Sequence, residues 1–206
     1  MNITTIRPLL RLAALAGLSL LPLVAHAHAQ EDGDGFVAGL LHPVFGVDHL
    51  LAMISVGIVS AQLGGASIWR VPTAFVLAMV LGGAIGVMQI AMPYAEVGIA
   101  LSVVLLGIAI VNVDHRTSPW LPLVFVLFFG VFHGHAHGVE MPRSASPAFY
   151  TFGFITSTSL LHVFGVVIGE LSTRRERFVG LLRYSGAGMA GIGISFLLQS
   201  ARAIAL

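Results

Sequence analysis

The sequence predicts an all-α protein, a polytopic membrane bundle of about six transmembrane helices that follows a cleaved signal peptide. Of the 206 residues, 57% are hydrophobic and only 9% are charged, and the mean hydropathy is +0.95. Soluble domains, by contrast, average about 25% charged residues. After residue 35, apolar segments of the length that a spanning helix needs follow one another closely. A shorter apolar segment at the N-terminus ends in a typical cleavage site.

The N-terminal segment has the three parts of a secretory signal peptide. Arg7 and Arg11 form its basic region, residues 12–24 form a short apolar region, and Ala27 closes an A-x-A cleavage site. The apolar region is too short to cross comfortably a hydrocarbon core of roughly 30 Å. The sequence therefore predicts that residues 1–27 are a signal peptide, cleaved near Ala27, and the alternative is that the segment is retained as a membrane anchor.

The rest of the chain, residues 28–206, is predicted to form one domain of six membrane-spanning helices. Short segments with glycine, proline or charged residues separate the spans, and none is long enough to mark a domain boundary. The predicted spans are residues 38–63, 71–92, 96–113, 120–139, 148–171 and 178–200.

Arginine placement predicts the orientation of these spans. A cleaved signal peptide leaves the mature N-terminus outside the cytoplasm, and six spans return the C-terminus to the same side. Six arginines then lie in or beside cytoplasmic loops, and only Arg143 and Arg202 fall outside, as the positive-inside rule requires. The six are Arg70, Arg116, Arg174, Arg175, Arg177 and Arg183. We expect a bacterial inner-membrane protein with periplasmic termini.

Two groups of glycines predict close contacts between helices, because small residues let helix backbones approach each other in membranes. Gly82 and Gly86 form a G-x-x-x-G pair in the second span. The last span has a denser group, which consists of Gly186, Gly188, Gly191 and Gly193.

Composition excludes several classes of function. The net charge is +1 and there is no polybasic tail or patch, so nucleic acid is not an expected partner. The chain has no cysteine, which excludes disulfides, thiolate metal sites and cysteine catalysis. Any metal bound by this chain must therefore be held by nitrogen and oxygen atoms.

The first polar cluster is the segment H-P-V-F-G-V-D-H near the outer end of the first span. An Asp at the centre of a spanning helix costs roughly 2.5–3.5 kcal/mol, so such residues need a partner or a purpose. In a continuous helix His42 and His49 share a face, and Asp48 lies about 100° away. Alternatively, the helix begins at Pro43 with His42 just outside it. Either way, two imidazoles and a carboxylate lie within two turns.

The second cluster is the segment F-H-G-H-A-H-G-V-E, which closes the fourth span on the same outer side. His133 and His137 are one turn apart, and Glu140 follows His133 by seven residues, so the three share one stripe of the helix. His135 faces elsewhere. Two imidazoles one turn apart, with a carboxylate a further turn along, have the spacing of metal ligands.

His162 is the third ionisable group inside the spans, about midway along the fifth, and residues 156–159 before it are all Ser or Thr. One interpretation is a buried histidine that forms a hydrogen bond to a neighbouring helix. The other is a further ligand on the path of a metal.

The two larger clusters favour metal binding over a purely structural network. Hydrogen bonds between membrane helices contribute well under 2 kcal/mol on average, which is little for so many buried polar groups. A proton relay of His and Asp is an alternative, but it does not require ligand spacing. Imidazole suits Zn, Cu, Fe and Ni, and mixed nitrogen and oxygen ligation fits Ni(II) or Co(II) without excluding Zn(II).

At these two motifs the chain resembles the HupE/UreJ family of nickel and cobalt permeases. The family signatures resemble H-P-x-x-G-x-D-H in the first span and F-H-G-x-A-H-G-x-E in the fourth. Every fixed position of both signatures is met here, by His42, Pro43, Gly46, Asp48, His49, Phe132, His133, Gly134, Ala136, His137, Gly138 and Glu140. The likeness extends to the signal peptide and the six-span layout, so it covers essentially the whole chain.

The resemblance implies a permease, not an enzyme, that moves Ni(II) or Co(II) from periplasm to cytoplasm without a tightly bound cofactor. No nucleotide-binding motif is present, so the transport is expected to be secondary. Expected partners are the metal ion, the lipid bilayer and downstream proteins that mature metalloenzymes such as hydrogenase or urease. The implied metal-handling residues are His42, Asp48, His49, His133, His137 and Glu140. Further points on the metal path would be His28, His135, which stands at a variable position of the motif, and His162.

Two other functions stay open from the sequence. An intramembrane zinc-dependent hydrolase needs three protein ligands and commonly a general base. His49, His133 and His137 could be the ligands and Glu140 the base, but residue 134 is glycine, so there is no H-E-x-x-H motif. The second alternative is a metal-binding sensor or accessory protein, for which no cytoplasmic signalling domain is predicted.

Overall fold

The structure is a computed structural model that describes residues 35–205. Within this range it consists of helices and connecting segments and contains no strand. The predicted signal peptide, residues 1–27, and His28 lie outside the described residues. The helices are α1 (Gly35–Phe45), α2 (Val47–Leu63), α3 (Ser67–Val87), α4 (Ala95–Asn112), α5 (Trp120–Val139), α6 (Pro147–Thr173) and α7 (Glu176–Ala205).

Five of these helices, α3 to α7, are each long and apolar enough to cross a membrane. Helices α1 and α2 pass the same test only as a pair, and the chain bends by 82° between them. If that pair is counted as one broken span, the bundle has up to six crossings. The structure thus confirms the predicted all-α, multi-pass membrane fold.

The first predicted span, residues 38–63, is wrong as a continuous helix. His42 and Pro43 both lie inside α1, and the chain breaks at Gly46, whose extended backbone (φ −78°, ψ 105°) precedes α2. Because Pro43 has no N–H, it cannot form the helical hydrogen bond to the residue four before it, which weakens α1 near its end. The alternative start at Pro43 is also wrong, because α1 begins at Gly35.

The second predicted span, residues 71–92, is displaced, since α3 begins four residues earlier and ends at Val87. The backbone turns at Gln89, which has a positive φ of 56°, and the N–H of Gln89 donates to the carbonyl of Gly86. A left-handed residue just after the last turn is a common helix ending. The apolar residues that follow therefore belong to a loop. The other four spans agree with the helices to within five residues.

Glycines let two pairs of helices lie backbone to backbone. Gly82 and Gly86 of α3 lie against the backbone of α5, and Gly134 of α5 lies against the backbone of α3. In the same way, Gly57 of α2 and Gly165 of α6 meet at the crossing of their helices. A side chain at any of these positions would overlap the facing backbone, so the glycines set the helix separation.

The glycine group of the last span packs only in part. Gly186 lies against Gly107 of α4, and Gly193 lies against Val104. An added Cβ at Gly188 or Gly191 would meet open space. The predicted packing role is therefore wrong for Gly188 and Gly191, at least within the described bundle.

The two ends of the bundle differ in composition. One end, called the site end, holds the break at Gly46, the start of α4 and the end of α5. The opposite end, called the arginine end, holds the connections α2–α3, α4–α5 and α6–α7. The arginine end carries Arg70, Arg116, Arg174, Arg175, Arg177 and Arg183. Of the arginines in the described residues, only Arg143 and Arg202 lie towards the site end.

Candidate metal site

Four histidines from three helices converge near the site end. His42 comes from α1, His49 from the first turn of α2, and His133 and His137 from the last two turns of α5. Ring centroids are 4.8 Å apart for His42 and His137, and 4.7 Å apart both for His49 and His133 and for His49 and His137. Two imidazoles that share one ion, each through a nitrogen at about 2.1 Å, have centroids roughly 5 Å apart. The ring spacing is therefore compatible with shared coordination.

The bend at Gly46 shapes this cluster. It turns α1 against the first turns of α6, where His42 lies 6.1 Å from the ring of Tyr150. A Cβ at Gly46 would come within 3.3 Å of both Oδ1 of Asp48 and Nδ1 of His49, which is closer than ordinary van der Waals contact. Glycine at this position therefore leaves room for the Asp48–His49 pair.

Hydrogen bonds determine which nitrogen carries the proton on two of the rings. Nδ1–H of His49 donates to Oδ1 of Asp48 at 2.9 Å, so the lone pair of this ring is on Nε2. Ser102 donates its hydroxyl to the carbonyl of Ile99 at 2.6 Å, and its oxygen accepts Nε2–H of His133 at 2.8 Å. The lone pair of His133 is then on Nδ1. Metal-binding histidines are typically oriented by such partners on their other nitrogen.

The two lone-pair nitrogens, Nε2 of His49 and Nδ1 of His133, are buried and have no hydrogen-bond partner among residues 35–205. His137 is fully buried, and within the same range neither of its ring nitrogens has a partner. Its ring stacks on Phe154, with centroids 5.2 Å apart and planes 7° apart. A buried polar atom without a partner carries a free-energy cost of about 1–3 kcal/mol. A bound cation is the kind of partner that would remove this cost.

His42 and Glu140 form the outermost pair of the cluster. Nε2–H of His42 donates to Oε2 of Glu140 at 2.8 Å, and the Glu140 side chain is 51% exposed. Glu140 follows the last residue of α5 and lies outside the spanning segment. The hydrogen bond from His42 holds the pKa of Glu140 below its ordinary value, against an opposing effect of partial burial. Glu140 is therefore a carboxylate at neutral pH.

A cavity of about 450 Å³ lies over the cluster at the site end. Its lining includes three carboxylates, Asp48, Glu96 and Glu140, together with His42 and His49. None of the described residues that line it is Lys or Arg. Clustered charges of one sign in a cleft raise the local concentration of oppositely charged ions. The cavity is therefore suited to collect a divalent cation above the histidines.

Within residues 35–205, no group of three or more His, Asp or Glu side chains is already arranged to hold a metal ion. The two carboxylates of the motifs are engaged by His42 and His49, as described above. The donor atoms thus lie close together but do not form a complete coordination site. Side-chain rotation would be needed to complete a coordination sphere.

The remaining predicted residues lie elsewhere. His135 faces away from the cluster, and its Nε2 forms a hydrogen bond with the carbonyl of Ile90 at 2.9 Å, which accounts for its burial. His162 lies deeper in α6, and its ring centroid is 5.5 Å from that of Phe75. His28 is outside the described residues.

Three residues at the site carry little signal in the sequence. Glu96 has the clearest one, because it is an acidic residue at the first position of the predicted third span. Ser102 is recognisable only once its contact with His133 is seen. Tyr150 lies beside His42, and its hydroxyl is buried without a partner, but an isolated tyrosine in a span has no distinctive pattern.

Comparison with known proteins identifies the family of this chain. The sequence profile described as "HupE / UreJ protein" matches residues 14–196. Protein HupE of Rhizobium leguminosarum bv. viciae is 40% identical over 187 residues, which is 91% of this chain and 95% of the relative. No solved structure matches the chain significantly. A match over most of the length of both sequences establishes that this chain belongs to the HupE/UreJ family.

Proposed function

We propose that this chain is a secondary permease that carries Ni(II) or Co(II) from the periplasm to the cytoplasm across a bacterial inner membrane. Membership of the HupE/UreJ family supports a role in nickel or cobalt transport. The observation that carries the proposal is the set of buried, unpaired imidazole nitrogens of His49, His133 and His137 beneath a cavity lined by carboxylates.

In this proposal the ion first enters the cavity at the site end. Asp48, Glu96 and Glu140 attract the dication and replace part of its water shell. The ion then reaches the imidazoles of His49, His133 and His137, which are soft enough for Ni(II) and Co(II). Asp48 acts mainly through His49, because its oxygen holds the proton on Nδ1 and leaves Nε2 for the metal.

An open arrangement of donors suits transport better than a closed cage. An ion must bind firmly enough to enter, yet weakly enough to leave. Moderate affinity at several neighbouring donors lets the ion move between them.

The orientation in this proposal follows from the arginines. Short loops rich in arginine stay in the cytoplasm, so the arginine end faces the cytoplasm and the site end faces the periplasm. Metal then enters at the carboxylate-lined cavity, and the C-terminal end of α7 lies on the periplasmic side. Because this chain has no cysteine, single cysteines introduced at either end of the bundle can be used to determine its orientation in the membrane.

The zinc-dependent hydrolase gains no support from residue 134. A metalloprotease-type motif would place glutamate there, but Gly134 lies against the backbone of Met79. A larger side chain would force α3 and α5 apart. The other alternative, a metal-binding accessory protein that does not transport, is distinguished from a permease by the test below.

The test is uptake of radioactive nickel and cobalt, each with zinc as competitor, by cells that lack their own permeases. Cells expressing this chain should take up at least one of the two metals, and the His49→Ala variant should fall to the level of the empty vector. His115→Ala, which changes an exposed histidine in the α4–α5 connection, is the control and should retain uptake. Wild-type uptake no higher than the empty vector, with the protein in the membrane, would reject the permease.

A further inference from the structure

His162 is buried without any of the partners that a structural histidine would need. Its side chain is 2% exposed, and neither ring nitrogen has a hydrogen-bond partner among the described residues. Thr158, one turn earlier on the same face of α6, is likewise fully buried with an unpaired hydroxyl. A histidine that served only to join two helices would form a hydrogen bond to one of them. This explanation therefore does not fit His162.

His162 lies well below the cluster at the site end. The backbone of His162 packs against Gly57 of α2, which follows His49 by eight residues. At a rise of about 1.5 Å per residue, Gly57 is about 12 Å deeper than His49 along α2. His162 is therefore nearer to the middle of the bundle than His49 is.

A single aromatic ring separates the two levels. The ring centroid of Phe75 in α3 is 5.5 Å from that of His133 and also 5.5 Å from that of His162. Phe75 is fully buried. The next imidazole along the bundle from His133 thus lies beyond the ring of one phenylalanine.

A second cavity begins at His162. It has a volume of about 320 Å³ and lies between α3 and α6. Its lining runs from His162 and Ser159 past Thr73 to Trp69 in the first turn of α3. Tryptophan next to arginine at a helix end is typical of the membrane–water interface. The cavity therefore extends from the side of His162 towards the arginine end.

We propose that His162 is a relay site for the transported divalent cation, reached from the cluster past Phe75 and opening through the α3–α6 cavity towards the arginine end. The proposal rests on the permease function proposed above. One imidazole and one or two hydroxyls bind a cation more weakly than four imidazoles beneath three carboxylates. This difference favours release of the ion from His162 towards the cytoplasm.

The test uses the purified full chain in liposomes loaded with a metal-sensitive dye, with nickel chloride added outside. His162→Leu and His162→Gln should slow nickel influx at least tenfold, while titration of the detergent-solubilised variants with nickel should give the wild-type affinity at the cluster. His162→Cys, which restores a metal ligand, should recover a substantial part of the influx. Thr156→Val is the matched control, because Thr156 bonds only to its own helix at the carbonyl of Phe152.

The outcomes separate the relay from the permease. Wild-type influx with His162→Gln or His162→Leu would overturn the relay and leave the permease intact. Recovery by His162→Gln but not by His162→Cys would also overturn it, because that order indicates a structural role. If the His162→Leu variant does not insert into the membrane, the influx through His162→Gln and His162→Cys decides whether the relay is rejected. A wild-type chain that moves neither nickel nor cobalt would reject the permease itself.

Discussion

Two of the histidines near the site end are held differently from His162, which lies deeper in the bundle. Near the site end, His49 and His133 each use one nitrogen in a hydrogen bond, with Asp48 and Ser102 respectively, and keep the other free. Among the described residues, His162 has no hydrogen-bond partner at either nitrogen. The first pair is oriented before any ligand arrives, whereas His162 is positioned only by packing.

This difference suggests a division of labour along the transport path. Oriented imidazoles bind with less loss of side-chain entropy, because their rings are already in place. His162 is held only by packing and has no other imidazole beside it, so it should bind more weakly and release its ligand more easily. His137 also lacks such a partner, but it lies beside His42 and His49. Capture near the carboxylates and release near the arginine end would follow from that contrast, and each step can be tested by changing one side chain.

The largest effect is expected at His137. This side chain contacts both His42 and His49 and offers two unpaired nitrogens, so His137→Ala should reduce nickel uptake to the background of the empty vector. Its matched control is His135→Gln, two residues away on α5, which keeps a donor for the carbonyl of Ile90. The control should keep uptake within about twofold of wild type. Equal loss in both variants would show that α5 tolerates no change here and would remove the evidence for a specific role of His137.

A smaller effect is expected at Asp48. The amide oxygen of Asp48→Asn can still accept the proton of His49 Nδ1 but has no charge, and loss of an outer partner typically lowers metal affinity 10–100-fold. The half-saturating nickel concentration of uptake should rise within that range, with a smaller change in maximal rate. Asp48→Ala, which also frees the ring of His49, should be more severe. If the two variants were indistinguishable, orientation of His49 would not be the function of Asp48.

The smallest effect is expected at Ser102. Removal of the hydroxyl in Ser102→Ala takes away the acceptor for His133 Nε2–H, but leaves the ring packed against Phe75. We expect about a tenfold rise in the half-saturating nickel concentration, the lower limit for loss of such a partner. Ser60→Ala is a suitable control, because Ser60 is buried and donates its hydroxyl to the carbonyl of Gly57 in its own helix. Unchanged transport in Ser102→Ala would mean that packing alone orients His133.

Much of the fold follows from the sequence, because length and hydropathy determine which segments cross a membrane. The fourth predicted span matches α5 to the residue. The break at Gly46 was not predictable in the same way. A proline three residues earlier pointed to a disturbance of the helix, but the 82° bend depends on the packing of α1 against α6, which is a long-range contact.

The candidate site is predictable only where its residues stand in recognisable patterns. His42, Asp48 and His133 lie in dense polar segments within apolar spans, and such segments are rare enough to attract attention. Ser102 and Glu96 join the site from a different helix, α4, where each stands alone. Their place beside the histidines is set by how α4 packs in the bundle, and no local pattern reveals it. The roles of all these residues in metal binding remain predictions.

The most direct test of the central claim is nickel influx into liposomes that contain only the purified chain. An inward nickel gradient, with and without an imposed proton gradient and with no nucleotide, should drive saturable influx through the wild-type protein. The His133→Ala variant, inserted in equal amount, should give no more influx than protein-free liposomes. Influx through His133→Ala at the wild-type rate, or no influx of either nickel or cobalt through the wild type under either condition, would contradict the account.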